Sequence, residues 1–160
     1  MIDELYSARI LKLAANLPHS GRLAAPEGTG ERVAKLCGSK AIVDVTLDDA
    51  GRVETFAQDV KACALGQAAA GVLGEAVIGA SLDELVSTRD AMSAMLKSGG
   101  EGPTGRFEGL RALKQVADYP ARHASTMVAI EATLDAVRQA QGRALARKGP
   151  DTRTSLAGAA

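Results

Sequence analysis

Residues 40–62 alternate and residues 63–79 do not. In KAIVDVTL (40–47), Ala41, Val43, Val45 and Leu47 fall on one side of an extended chain, with Asp44 and Thr46 opposite. Asp48-Asp49-Ala50-Gly51 is a turn signal, and RVETFAQDVKA (52–62) follows as the partner strand. ERVAKLCG (31–38) reads as a third strand, joined to the second at Gly38-Ser39. Three short strands in succession predict an antiparallel meander. The next stretch, CALGQAAAGVLGEAVIG, is apolar on nearly every side of a helix. Such a helix belongs in a core. The fold class expected is therefore α+β, a three-stranded antiparallel sheet packed with about five helices.

The remaining helices have ordinary signals. Residues 2–16 place Ile2, Leu5, Tyr6, Ile10, Leu13 and Ala14 at helical spacing. Pro18 and Gly21 close that helix and open a long loop. Ser81 followed by Glu84 three residues later is a capping box, with a helix over 82–97 behind it. SGGEGPTG (98–105) is a break, and 106–116 a short helix. Pro120 opens the last long helix, expected to run to about Gln139. The organisation expected is one domain over 1–140 and a disordered polar tail over 141–160.

Several function classes lose support. Lysines plus arginines number 19, as do aspartates plus glutamates, so the formal net charge is zero. That leaves no electrostatic footprint for nucleic acid or an anionic membrane. The aromatics are Tyr6, Phe56, Phe107 and Tyr119, too few to form stacking platforms. The longest uncharged run, between Lys61 and Glu75, is too short to span a bilayer. No export signal opens the sequence, so a cytoplasmic location is expected. In that compartment two cysteines are free, metal-binding or catalytic rather than bridged.

Those two cysteines sit at turns. Cys37 lies at a strand end, in Leu-Cys-Gly-Ser, and Cys63 at a helix start. A meander brings both to one end of the sheet. A thiolate at a helix N-terminus gains from the dipole and the free N–H groups, and Lys61 acts in the same direction. Read singly, each cysteine is also a small buried hydrophobe. There is no C-x-x-C pair, phosphate-cradling glycine loop or G-x-S-x-G elbow. His19 and His123 are the two imidazoles available to complete a site.

LYSARILKLAANLPHSGRL, KLCGSKAIVDVTLDDAGRVETFAQDVKACALGQAAAG and GASLDEL, in that order, resemble the IscU/NifU-type iron–sulfur cluster assembly scaffolds, closest to the SufU-like branch. The resemblance runs from Leu5 to about Ala140. It implies the α+β fold already read from the residues. It implies a scaffold that takes sulfur from a cysteine desulfurase, takes iron, builds a [2Fe–2S] or [4Fe–4S] cluster and passes it to recipient proteins. In the SufU branch the same pocket holds zinc and accepts persulfide sulfur. A homodimer is a further expectation.

Carried over residue by residue, Cys37 and Cys63 are the ligands, and His123, His19, Ser125 or a second subunit is the candidate to fill the gap, with His123 the choice for a third ligand. Cys63, at its helix start, is the choice for a persulfide acceptor. The sequence also departs from the family pattern. Cys37-Gly38-Ser39 stands where the family has Cys-Gly-Asp. Ser125 stands at the third cysteine position, and Ala124 at the histidine that precedes it in the IscU branch. His123 is one residue off. The Leu-Pro-Pro-Val-Lys sequence is replaced by Asp118-Tyr119-Pro120-Ala121-Arg122. Three readings follow: a scaffold with a reduced ligand set, a persulfide sulfurtransferase, or an assembly partner that carries no cluster.

Overall fold

The computed structural model describes residues 7–148. Three strands, β1 (Gly28–Ala34), β2 (Ser39–Leu47) and β3 (Val53–Lys61), form one antiparallel sheet in the order β1-β2-β3. The meander is thus as expected, with β1 shifted. Strand pairing ends at Ala34 opposite Ser39, and residues 35–38 form the turn. Gly38 makes that turn possible: its φ is +73°, and its N–H bonds the Ala34 carbonyl at 2.8 Å. Lys35, Leu36 and Cys37 are therefore turn residues, not strand.

Four α-helices are described: α1 (Ala8–Ala15), α2 (Ala64–Ala76), α3 (Leu82–Lys97) and α4 (His123–Lys148). Ser7 caps α1, and the expected start of that helix at residue 2 lies outside the described residues. The capping box of α3 is present, with Ser81 Oγ accepting from the Glu84 N–H and the Glu84 carboxylate accepting from the Ser81 N–H, each at 3.1 Å. The short helix expected over 106–116 is a run of 3₁₀ turns, Gly105–Asp118, kinked at Phe107. It buries Phe107, Leu110, Leu113 and Val116. A second 3₁₀ turn, Pro120–Arg122, leads into α4, so Pro120 stands three residues before that helix.

The last helix corrects an expectation. It runs on to Lys148 instead of ending near Gln139. Ala140 is buried, Arg143 donates to the Glu27 carbonyl, and Arg147 pairs with the Glu27 carboxylate at 2.9 Å. These contacts hold the added turns against the loop before β1. The expected disordered tail thus begins as helix, and 149–160 lie outside the described residues.

Helix and sheet meet at small residues. A Cβ on Gly28 or Gly30 would overlap the backbone of α4 at Ala136 and Ala132. The α2 helix packs on α1, α4 and the 3₁₀ run, and Leu65, Ala68, Ala70 and Leu73 are fully or almost fully buried in it. Its Ala- and Gly-rich composition is what lets three neighbours approach. On the other side, the long loop is strapped to the sheet by Asp44. Arg22 donates to Asp44 at 2.6 and 3.2 Å, the Thr29 hydroxyl at 2.6 Å and the Leu23 N–H at 3.0 Å.

Candidate functional site

The β1–β2 turn and the β3–α2 junction lie side by side because Lys40 pairs with Lys61 at the end of the ladder. Continuing that register past the last pair sets Cys37 and Cys63 at one end of the sheet. They line one open concavity, together with Ser39, Lys61, Gln67 and Arg122. Cys37 is exposed on the turn and Cys63 is half-buried; both thiols are free. The sequence-based expectation that the two converge holds.

Cys63 is the N-cap residue of α2. Its carbonyl accepts the first helical bond, from the Gln67 N–H at 2.9 Å, and its side chain caps nothing. The sulfur is therefore available to the concavity. It lies 3.0 Å from the hydroxyl of Ser125, in the first turn of α4. Ser125 is fully buried. Gly66 permits this meeting of helices, since a Cβ there would sit 2.7 Å from the Ser125 carbonyl oxygen and 2.7 Å from Ala62 Cβ.

Cys37 Sγ lies 3.2 Å from the hydroxyl of Ser39, which is itself buried. The Cys37 thiol titrates below the usual thiol range. The Ser39 hydroxyl is the main cause, helped by the Ser39 backbone; slight burial opposes them, and the Ser125 hydroxyl adds a smaller favourable contribution. The set is two thiols and two hydroxyls, with two cations at the rim and no carboxylate among the lining residues.

The histidines are elsewhere. The His123 ring nitrogen Nε2 lies 3.0 Å from the Val116 carbonyl and 3.3 Å from that of Ala117, tying α4 to the end of the 3₁₀ run. His19 packs edge-on against Phe56, ring centres 5.9 Å apart. Neither lines the concavity. Among the described residues no three His, Cys, Asp or Glu side chains group to hold a metal ion. Sequence reasoning paired the thiols but gave no role to Gln67 or Arg122. Arg122, in Pro-Ala-Arg, was within reach of a charge-based reading; Gln67 had no signal beyond falling one turn after Cys63.

Residues 5–126 match the NifU-like N terminal domain. The chain belongs to that family. It is the group of iron–sulfur assembly scaffolds that the sequence resembles, and the turn-borne Cys37, the capping Cys63 and Ser125 all fall within the matched span. A crystal structure of a nitrogen-fixing NifU-like protein (N-terminal) from Brucella abortus is 46% identical, with 88% of this chain and 97% of that one covered and a TM-score of 0.85. A putative iron–sulfur cluster assembly scaffold for the SUF system from Fervidobacterium islandicum superposes with a TM-score of 0.75 at 19% identity, covering 83% of this chain and 96% of that one. A hypothetical protein solved at 2.3 Å resolution gives 0.71 at 24% identity, covering 84% and 97%. The last two show the shared fold. No curated protein matches the chain. No helix among the described residues is long and apolar enough to cross a membrane.

Proposed function

We propose that the chain is an iron–sulfur assembly scaffold that takes sulfur and iron as cargo at Cys37 and Cys63 and releases the product to recipient proteins. One observation carries this: two free thiols, far apart in sequence, open onto one concavity in a chain of the NifU-like family. Thiolates are the soft donors that iron and sulfide need, and an open rim suits cargo that must leave again. The sulfur donor is a cysteine desulfurase, the acceptors are apo-proteins, and the chain works in the cytoplasm. Two thiolates are half of an ordinary cluster ligand set. A second copy or a recipient supplies the rest.

A second reading has its own support. The described residues bring no third strong ligand to the thiols, and His123 is engaged elsewhere. That favours sulfur handling without a held metal, in the manner of a persulfide carrier, with Cys63 as a persulfide site.

Anaerobic reconstitution with ferrous iron and sulfide tests the first reading. Wild-type protein develops a visible charge-transfer band, and Cys37→Ser and Cys63→Ser each lose it. A colourless wild-type product overturns the scaffold reading and leaves sulfur transfer. Iron, zinc and labile sulfide in freshly purified protein divide the alternatives further: iron with sulfide favours the scaffold, zinc a zinc-dependent sulfurtransferase, and neither metal the metal-free carrier.

A further inference from the structure

The two sulfurs are not equivalent. Cys37 is exposed on a four-residue turn held open by Gly38, where a donor can reach it. Cys63 is half-buried at the cap of a packed helix, with its sulfur against the Ser125 hydroxyl at 3.0 Å. An incoming macromolecule meets Cys37 first, and Leu36 beside it is 77% exposed.

We propose that the pair is a one-way sulfur relay, in which sulfane sulfur accepted at Cys37 is passed within the chain to Cys63. The proposal rests on the sulfur-accepting part of the function above. The chemistry needs no outside oxidant or reductant. The Cys63 thiolate attacks the outer sulfur of the Cys37 persulfide. A bond forms between Cys63 Sγ and that sulfur, and the bond from it to Cys37 Sγ breaks. The electron pair leaves on Cys37 Sγ as a thiolate, and the persulfide proton travels with the outer sulfur. The oxidation level of the moving sulfur is unchanged.

Ser125 is the positioning residue of this step. Its buried hydroxyl lies 3.0 Å from Cys63 Sγ. It donates to the Cys63 thiolate and so holds that sulfur in place for the attack. Ser39, 3.2 Å from Cys37, receives the leaving thiolate. Arg122 and Lys61, the cations of the rim, offset the thiolate that leaves on Cys37, and no carboxylate lines the concavity. Half-burial of Cys63 then shields the transferred sulfur from other thiols in solution.

The test loads full-length protein anaerobically with less than one equivalent of inorganic polysulfide. Samples are quenched with iodoacetamide over time, and the added sulfur is located by peptide mass spectrometry. The expected order is Cys37 first, then Cys63 as Cys37 empties. In Cys37→Ser, Cys63 loads about tenfold more slowly or not at all. Ser125→Ala slows the emptying of Cys37 about tenfold more than it slows its loading, the effect of one hydrogen bond to a charged group. Ser125→Thr, which keeps the hydroxyl, restores the rate. Loading of Cys63 at the wild-type rate in Cys37→Ser overturns the relay. So does sulfur that stays on Cys37, and that result leaves the scaffold reading standing. A colourless reconstitution with intact sulfur movement does the reverse.

Discussion

Ser125 and Cys63 lie 62 residues apart in the chain and 3.0 Å apart at the site. Ser125 stands at the position where the family resemblance implies a third cysteine. Exchanging oxygen for sulfur there is the most direct probe of what the site can hold. Ser125→Cys is expected to tighten zinc retention by more than about tenfold, a thiolate being a far better ligand than a neutral hydroxyl. Zinc remaining after desalting, measured by mass spectrometry, reads this out. Equal zinc content in both proteins contradicts the geometry.

Cys37 should alkylate faster than Cys63 near neutral pH. It is exposed, and the Ser39 hydroxyl holds its thiol below the ordinary range. A lowered thiol pKa means that the reactive thiolate is present at lower pH. The iodoacetamide rate of Cys37, followed against pH in Cys63→Ser, should rise with a midpoint under the usual value of about 8.5 for a free thiol. Ser39→Ala moves that midpoint upward. An unmoved midpoint removes Ser39 as the cause.

His123 should be dispensable for cargo. Its Nε2 lies against the Val116 and Ala117 carbonyls, not the thiols. His123→Ala is expected to keep the reconstituted absorption band within experimental scatter. Its effect appears instead as a destabilisation of about 1 kcal/mol, the usual net contribution of one hydrogen bond. Loss of the band with folding intact would return His123 to the ligand set.

Gly66→Ala tests whether helix approach sets the site. The new Cβ would meet the Ser125 carbonyl oxygen and Ala62 Cβ, both at 2.7 Å. Overpacking of this kind costs about 1–3 kcal/mol. Because the strain falls between α2 and the first turn of α4, Cys63 should lose its Ser125 partner and alkylate faster. An unchanged melting temperature and an unchanged Cys63 rate together exclude this account.

Asp44 gives the fold an acid-sensitive clasp. Burial pushes its carboxyl up, but hydrogen bonds from Arg22, Thr29 and the Leu23 N–H outweigh burial and hold it below the ordinary range. A depressed folded-state pKa contributes stability above the unfolded value of about 3.9, lost as pH falls through the lower folded value. Asp44→Asn should therefore lower the urea midpoint clearly at pH 7. The gap to wild type should close as pH falls below the unfolded value and through the lower folded one. A gap that persists there means the carboxylate charge is not what the loop is held by.

The sheet was legible because β2 and β3 alternate cleanly around Asp48-Asp49-Ala50-Gly51, and a period of two with a turn leaves few choices. The α3 start was legible from Ser81 and Glu84 alone. The start of β1 was not: Gly28 and Gly30 look like loop residues, and they are strand because α4 presses its backbone against them. The end of α4 was hidden for a similar reason. Gly142 and the arginines read as a polar tail until Glu27, far away in sequence, is seen to hold Arg143 and Arg147. At the site, sequence paired Cys37 with Cys63 through the hairpin but could not orient His123. One residue of helical phase decides whether an imidazole reaches a rim or a neighbouring carbonyl, and phase is set by packing.

The turn that carries Cys37 and the helix cap that carries Cys63 are anchored differently. The four-residue turn is closed by one backbone bond, from Gly38 to Ala34, whereas the start of α2 is packed against other helices. One sulfur of the rim is therefore built into the core, and the other stands outside it on a single backbone clasp.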